Sequence, residues 1–266
     1  MPALNRSPSE QTLADAAGPE FLEALARGLR VIETFNQDRK QLTLSDIAKL
    51  VDLPRASVRR TLHTLVQLGY AEMDDRMFRL RPRVLTLARA YLQSNAVTDI
   101  VQPALERLSE QAGESCSAAV LDGDDITMIA HASPKRVLPV SAQIGFRLPA
   151  IATALGRVLL AALDDRKLDK FLSRQRPEKI TKFTVTDKAK LRKAILAIRK
   201  TGYAIADQEV EVGFRSIAIP LKKFDGRVIA ALNIGVHSER TQLKALHGHF
   251  FLSLQTVAKE LRQQLI

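Results

Sequence analysis

Between residues 19 and 35 the apolar positions Leu22, Leu25, Leu29 and Ile32 recur at three- and four-residue steps, which predicts an amphipathic helix. Ile47, Ala48 and Val51 repeat that spacing within "LTLSDIAKLV", where Ser45 is the expected N-cap of a short helix. Pro54 in "DLP" lacks an amide hydrogen and disfavours a helical residue before it, so the chain turns there. From about Arg55 to Leu68, Val58, Leu62, Leu65 and Val66 stripe a further helix, with Gly69 as its expected C-cap. Two helices joined by a tight turn make a helix-turn-helix. The period then changes. Phe78 and Leu80 alternate with Arg79 and Arg81, and Asp74-Asp75 separates two short extended runs. That is a hairpin, without the glycine a tight turn prefers.

"PRVLTLARAYLQS" returns to helical spacing from Pro82, with Val84, Leu87, Ala88, Tyr91 and Leu92 on one side. Such a stripe needs a partner, and a second copy of the chain, met through Leu87, Tyr91 and Leu92, is the simplest. Beyond about Thr98 helices and strands alternate. "IVQPALERLSEQAG", "IATALGRVLLAAL" and "DKAKLRKAILAIRKTG" are helical, the last ending at Gly202. "SCSAAVLDGDDITMIAHAS" is two strands around a Gly-Asp turn, "RVLPVSAQIG" another strand, and "RSIAIPLKKFDGRVIAALNIGV" a hairpin on an Asp-Gly turn. A long C-terminal helix is expected from Ser238. The class is α+β: a disordered tail over 1–20, a winged helix-turn-helix over 21–81, a linker helix over 82–97, and a sensor-type domain over 98–266.

Composition adds bounds. With 266 residues, 46% hydrophobic and 26% charged, the chain has room for two cores and an ordinary soluble balance. Its apolar runs are too short to span a bilayer, and its N-terminus lacks the basic head and apolar core of a signal peptide. The single cysteine, Cys116, rules out an intramolecular disulfide and a thiolate metal cluster. The cytoplasm is the expected compartment, and no membrane partner is expected.

The net charge is +11, and its distribution matters more than its size. Residues 39–90 hold 11 Lys/Arg against 5 Asp/Glu, and residues 167–202 hold 12 against 3. The second block is richer, so charge alone does not locate a polyanion surface. Context does. With Val58, Leu62 and Leu65 turned inward, Arg55, Ser57, Arg59, Arg60, His63 and Thr64 are expected to face outward. Arginine can fork onto guanine O6 and N7, while hydroxyls and further arginines hold phosphates. Small residues at the helix start, Ala56 and Ser57, permit close approach to base edges. Arg79 and Arg81 are expected to be phosphate contacts from the hairpin, and double-stranded operator DNA is the expected partner.

Catalysis finds little support. In "HGH" at 247–249, side chains two apart on a helix diverge by about 200° and cannot chelate one ion. Ser115, Cys116 and Ser117 have no identifiable histidine partner or nucleophile-elbow glycines, and "DGDD" at 122–125 fits a turn better than a calcium loop. No metal and no cofactor is expected. A purely architectural DNA-binding protein would leave about 165 residues of α+β domain without a task.

"ARGLRVIETF", "LTLSDIAKLVDLPRASVRRTLHTLVQLGY" and "LPAIATALGRVLLA" resemble, in order and spacing, the IclR family of bacterial transcriptional regulators. "SVRR" and "MFRLRPRVLTLARAYL" further resemble its branch controlling aromatic-acid catabolism through protocatechuate and β-ketoadipate. The resemblance implies a winged helix, a dimerising linker helix and a GAF-like effector domain, assembled as a homodimer or homotetramer. It also implies an effector pocket at Thr153, Ala154 and Leu155 in a loop, and at Phe214, Ser216, Asn233 and Gly235 on the terminal hairpin. An acidic pocket residue of some members aligns with Ala206, with Asp207 one place later. Free amides where that loop enters its helix would favour a carboxylate. Arg147, just upstream, is either a solvated loop arginine or a second cationic feature that would suit a dicarboxylate, so β-ketoadipate and protocatechuate are both expected candidates. An unrelated small carboxylic acid is the alternative.

Overall fold

The chain divides after Tyr91 into two units, each with its own core, in a computed structural model that describes residues 18–36, 38–94, 96–134 and 144–265. The side chains of 92–94 and 96 are outside that description. Most of the expected tail, the strand expected over 136–145 up to residue 143, and the Leu92 side chain therefore lie outside the described residues.

Unit 1 runs α1 (Glu23–Glu33), β1 (Leu42–Thr43), α2 (Leu44–Val51), α3 (Arg55–Gln67), β2 (Ala71–Asp74) and β3 (Met77–Leu80). Its sheet has the antiparallel order β1-β3-β2, one strand more than the expected hairpin. Ile47, Val51, Val58, Leu62, Leu65 and Phe78 meet in its core, as their spacing predicts. The cap of α2 is Thr43, not Ser45. Thr43 Oγ1 accepts from the Asp46 amide at 3.2 Å and Asp46 Oδ2 accepts from the Thr43 amide at 3.2 Å, a reciprocal capping box. Ser45 sits inside the helix. Beyond α3, Gly69 at φ 76° lets the Tyr70 amide reach the Leu65 carbonyl and its own amide reach Val66, closing the helix end. In the hairpin, Asp75 takes the positive φ (55°) that glycine would otherwise supply.

The leucines of α1 are not its buried face. Arg27 and Val31 are buried, Arg27 paired to Glu23 at 3.1 Å, while Leu22, Leu25 and Leu29 are 69%, 61% and 47% exposed. At about 100° per residue these leucines lie roughly half a turn round from Arg27 and Val31. After a 3-10 turn at Pro82–Val84, α4 (Leu85–Ser94) leaves Leu87 and Tyr91 about half exposed.

Unit 2 begins with α5 (Ala96–Ala112) and then β4 (Ser115–Asp122), β5 (Asp125–Ala132) and β6 (Arg147–Pro149). A 3-10 turn at Ala150–Ala152 leads into α6 (Ala154–Ala161), α7 (Asp165–Arg174) and α8 (Lys188–Thr201). Then come β7 (Ala204–Asp207), β8 (Phe214–Lys222) and β9 (Val228–His237). The C-terminal helix starts at Leu243, not Ser238, passes through a π-helical turn at Leu246–Phe250 and continues as α9 (Phe251–Gln264). The six strands form one antiparallel sheet in the order β6-β5-β4-β9-β8-β7. One face packs against α5 and α9 through Leu105, Ile217, Ile234 and Leu254. The other packs against α6, α7 and α8 through Met128, Leu160, Leu168 and Ile195.

Candidate nucleic-acid interface and effector cavity

On α3, Arg55, Ala56, Arg59 and His63 share one exposed side, because positions i, i+1, i+4 and i+8 fall together on a helix. Arg60 and Thr64 are also exposed, but border a groove lined by Leu25 and Leu29 of α1. Thr64 Oγ1 is already donated to the Arg60 carbonyl at 3.0 Å. Ser57 departs from expectation: it is buried against that groove, and its hydroxyl has no partner among the described residues. Its place two residues before Arg59 turns it about 200° from that arginine.

Arg55, Arg59 and Arg60 have no acidic partner among the described residues. The hairpin arginines differ. Glu72 lies opposite Arg79 in the ladder and accepts from it, and also sits 3.6 Å from Arg81. The richer basic block of unit 2 is partly neutralised too: Lys167, Arg174, Arg192 and Arg199 pair with Asp164, Asp124, Asp169 and Asp165. The α3 arginines are thus the less encumbered charges.

In unit 2 a cavity of about 580 Å³ opens between the sheet and the start of α6. Thr153, Leu155, Phe214, Ser216, Asn233 and Gly235 line it, as the resemblance implies. Ala154 does not, being packed in the core behind. Thr153 caps α6, its Oγ1 accepting from the Gly156 amide at 2.9 Å. Gly156 must be glycine, because a Cβ there would lie 2.1 Å from the Ala150 carbonyl oxygen. That approach folds the 3-10 turn back and directs the first turn of α6 at the cavity. Gly235 gives way to Phe214 in the same manner: a Cβ would lie 2.4 Å from the ring.

Arg147 is not at this site. Its guanidinium is taken by Asp122 and, at 3.3 Å, by Asp125, at the exposed end of the β4–β5 hairpin. Antiparallel pairing of β6 with β5 sets Arg147 opposite Thr127 and so beside those aspartates. No lysine or arginine lines the cavity among the described residues. Ala206 lines it, whereas Asp207 is paired with Arg215.

Two groups escaped the sequence reading. Ser117 does have a histidine partner: its Oγ lies 3.0 Å from His131 Nδ1, with both residues on the cavity wall. Strict alternation along β5 would put His131 on the face opposite Ile126 and Met128. However, Ala118 pairs Ala130 while Ala119 pairs Met128, so Ile129 is an extra, bulged residue. The bulge swings His131 onto the face of Met128. Burial holds its imidazole below the usual histidine range, the Cys116 backbone opposing. The Cys116 thiol is pushed up to about 12 by burial, with Glu114 adding to it, so it offers no thiolate. The second missed group is Arg157 of α6. It is buried and bonded by both Nη atoms to Glu209 at 2.6 Å, with Nε on the Ile151 carbonyl at 2.8 Å. Glu209 heads the 209–213 segment of the cavity wall.

A winged helix-turn-helix with an open basic helix, together with a second unit enclosing an apolar-walled cavity, defines a ligand-sensing DNA-binding regulator rather than an enzyme. The chain belongs to the IclR family: the IclR helix-turn-helix domain matches residues 24–75 and the bacterial transcriptional regulator IclR C-terminal domain matches residues 89–263. It is 41% identical over 265 residues to the Pca regulon regulatory protein of Pseudomonas putida, covering 99% of this chain and 91% of that one. A protein of Rhodococcus sp. RHA1, described only as a transcriptional regulator, has 43% identity and a TM-score of 0.81 over 92% of this chain and 98% of its own. An IclR homologue of Microbacterium hydrocarbonoxydans, solved with 4-hydroxybenzoate, has 28% identity and a TM-score of 0.77 over 91% of this chain and 98% of its own. No helix among the described residues is long and apolar enough to cross a membrane.

Proposed function

We propose that the chain controls genes for aromatic-acid breakdown, binding operator DNA through α3 and responding to an aromatic monocarboxylate, of which protocatechuate is the type, in the unit 2 cavity. The observation that carries this is the cavity itself. Ile126, Met128, Phe146, Leu148 and Phe214 give it apolar walls, and among the described residues no lysine or arginine lines it. The amide of Leu155, in the first turn of α6, supplies one place for one carboxylate. With Arg147 engaged by aspartates, a second carboxylate would enter an apolar site uncompensated, which is costly. A linear dicarboxylate such as β-ketoadipate is therefore disfavoured. The likeness to the homologue solved with 4-hydroxybenzoate points the same way, and that to the Pca regulon regulatory protein supports a role in aromatic-acid catabolism.

The regulator acts in the cytoplasm, where operator DNA is, as a homodimer or homotetramer joined through the linker helix over 82–97. Two copies of α3 then meet half-sites about one helical turn, or a multiple, apart. Footprinting of the promoter with and without protocatechuate, β-ketoadipate and an unrelated acid tests the whole reading. Protocatechuate should alter protection at low concentration, and Arg59→Ala should weaken specific binding by about 1–3 kcal/mol while sparing random DNA. A response to β-ketoadipate alone would overturn the effector assignment. Undiminished specific binding by Arg55→Ala, Arg59→Ala and Arg60→Ala alike would remove α3 from the interface.

A further inference from the structure

The cavity face of the sheet carries a row of polar groups crossing three strands. Ser117 of β4 is the ladder partner of His131 on β5 and of Asn233 on β9, so the three side chains stand side by side. Ser117 and His131 bond each other at 3.0 Å. Among the described residues, two atoms of the row have no partner: His131 Nε2 and Asn233 Oδ1 are both buried, and Asn233 is 94% buried. Buried polar atoms are nearly always satisfied in folded proteins, and those left open mark where another molecule completes them.

The chemistry of the row says what that molecule presents. A carboxylate only accepts hydrogen bonds and cannot satisfy an amide oxygen. A hydroxyl both donates and accepts, which matches a carboxamide beside a neutral imidazole whose second nitrogen is engaged by a serine. Burial holds the His131 imidazole below the usual histidine range, and among the described residues neither Lys nor Arg lines the cavity to hold an anion at this row. We propose that His131, Ser117 and Asn233 are the specificity determinants for a ring hydroxyl of the effector. This rests on the cavity being the effector site. The effector class narrows accordingly to hydroxybenzoates whose hydroxyl, meta or para, lies away from the carboxylate. The bulge at Ile129 is what brings His131 into the row.

Calorimetry on the full-length protein with benzoate, 3-hydroxybenzoate, 4-hydroxybenzoate and 3,4-dihydroxybenzoate reads this directly. The wild type should prefer its best hydroxylated acid over benzoate by roughly tenfold or more per satisfied hydroxyl. In Ser117→Ala, Asn233→Leu and His131→Phe that ratio should fall toward one. Where His131→Phe fails to fold, Ser117→Ala, which removes a single oxygen, reads the same row. Equal binding of benzoate and the hydroxylated acids, or a ratio unchanged in all folded variants, overturns the proposal while leaving the cavity as the acid site. Failure of every acid to bind overturns both.

Discussion

Arg157 and Glu209 make the sharpest energetic claim in unit 2. Both are buried, the guanidinium meets the carboxylate through two bonds of 2.6 Å, and Glu209 Oε2 also accepts from the Val185 amide at 3.0 Å. Removing one partner strands the other charge where water cannot reach it, which typically costs about 3–5 kcal/mol. Arg157→Met further leaves the Ile151 carbonyl without its 2.8 Å donor. At about 2–4 °C per kcal/mol for a domain of this size, either Arg157→Met or Glu209→Leu should lower the melting temperature of unit 2 by roughly 6–20 °C. The double variant Arg157→Met/Glu209→Leu strands no charge, so it should cost less than the sum of its singles by at least about 2 kcal/mol. Denaturant titration followed by circular dichroism, with unit 1 unfolding resolved as a separate transition, measures all three. Losses below about 1 kcal/mol that simply add would refute the pair as a desolvated unit. Because Thr184 and Thr181 bond the Glu209 and Gln208 carbonyls at 2.6 and 2.7 Å, both singles should also loosen the 209–213 cavity wall and weaken effector binding.

Gly235→Ala would set a Cβ 2.4 Å from the Phe214 ring, so effector affinity should drop while operator binding persists, and adding Phe214→Leu should restore part of the loss in the same calorimetric assay. Leu87→Lys puts a charge in the exposed α4 stripe; sedimentation should show monomers with weakened operator binding, and a variant that stays dimeric would place the subunit contact elsewhere. Asp46 is held below the usual carboxylate range, chiefly by the Thr43 hydroxyl and then by its amide. A depressed acid stabilises the fold above its unfolded value and loses that contribution as pH falls through the folded one. Unit 1 should therefore lose stability below about pH 4 more steeply in the wild type than in Asp46→Asn, and parallel acid limbs in denaturation would count against the capping box.

The sequence made the helix-turn-helix legible because its signals are local. Pro54, Gly69 and the Val58–Leu62–Leu65 stripe each act within a few residues, and the structure keeps all of them. Local signals also misled. The leucines of α1 carry the stronger periodicity, yet Arg27 and Val31 face the core, since a stripe says that a helix is two-sided but not which neighbour covers which side. Ser45 lost the cap to Thr43 by two residues, the usual uncertainty of a helix boundary. At the cavity the illegible part was long-range. Arg147 meets aspartates 22 and 25 residues away only because β6 pairs with β5. His131 reaches Ser117 only through a bulge that no alternation pattern announces.

That bulge has a consequence for how such a sensor diverges. Deleting Ile129 would remove the bulge and yet leave His131 on the cavity face, because Met128, Ala130 and His131 would then simply alternate. Bulged or shortened by that one residue, β5 presents the same imidazole to the ligand. Related chains can therefore differ in length at this strand and keep the same wall, so a gap beside Ile129 does not by itself mark a change of effector.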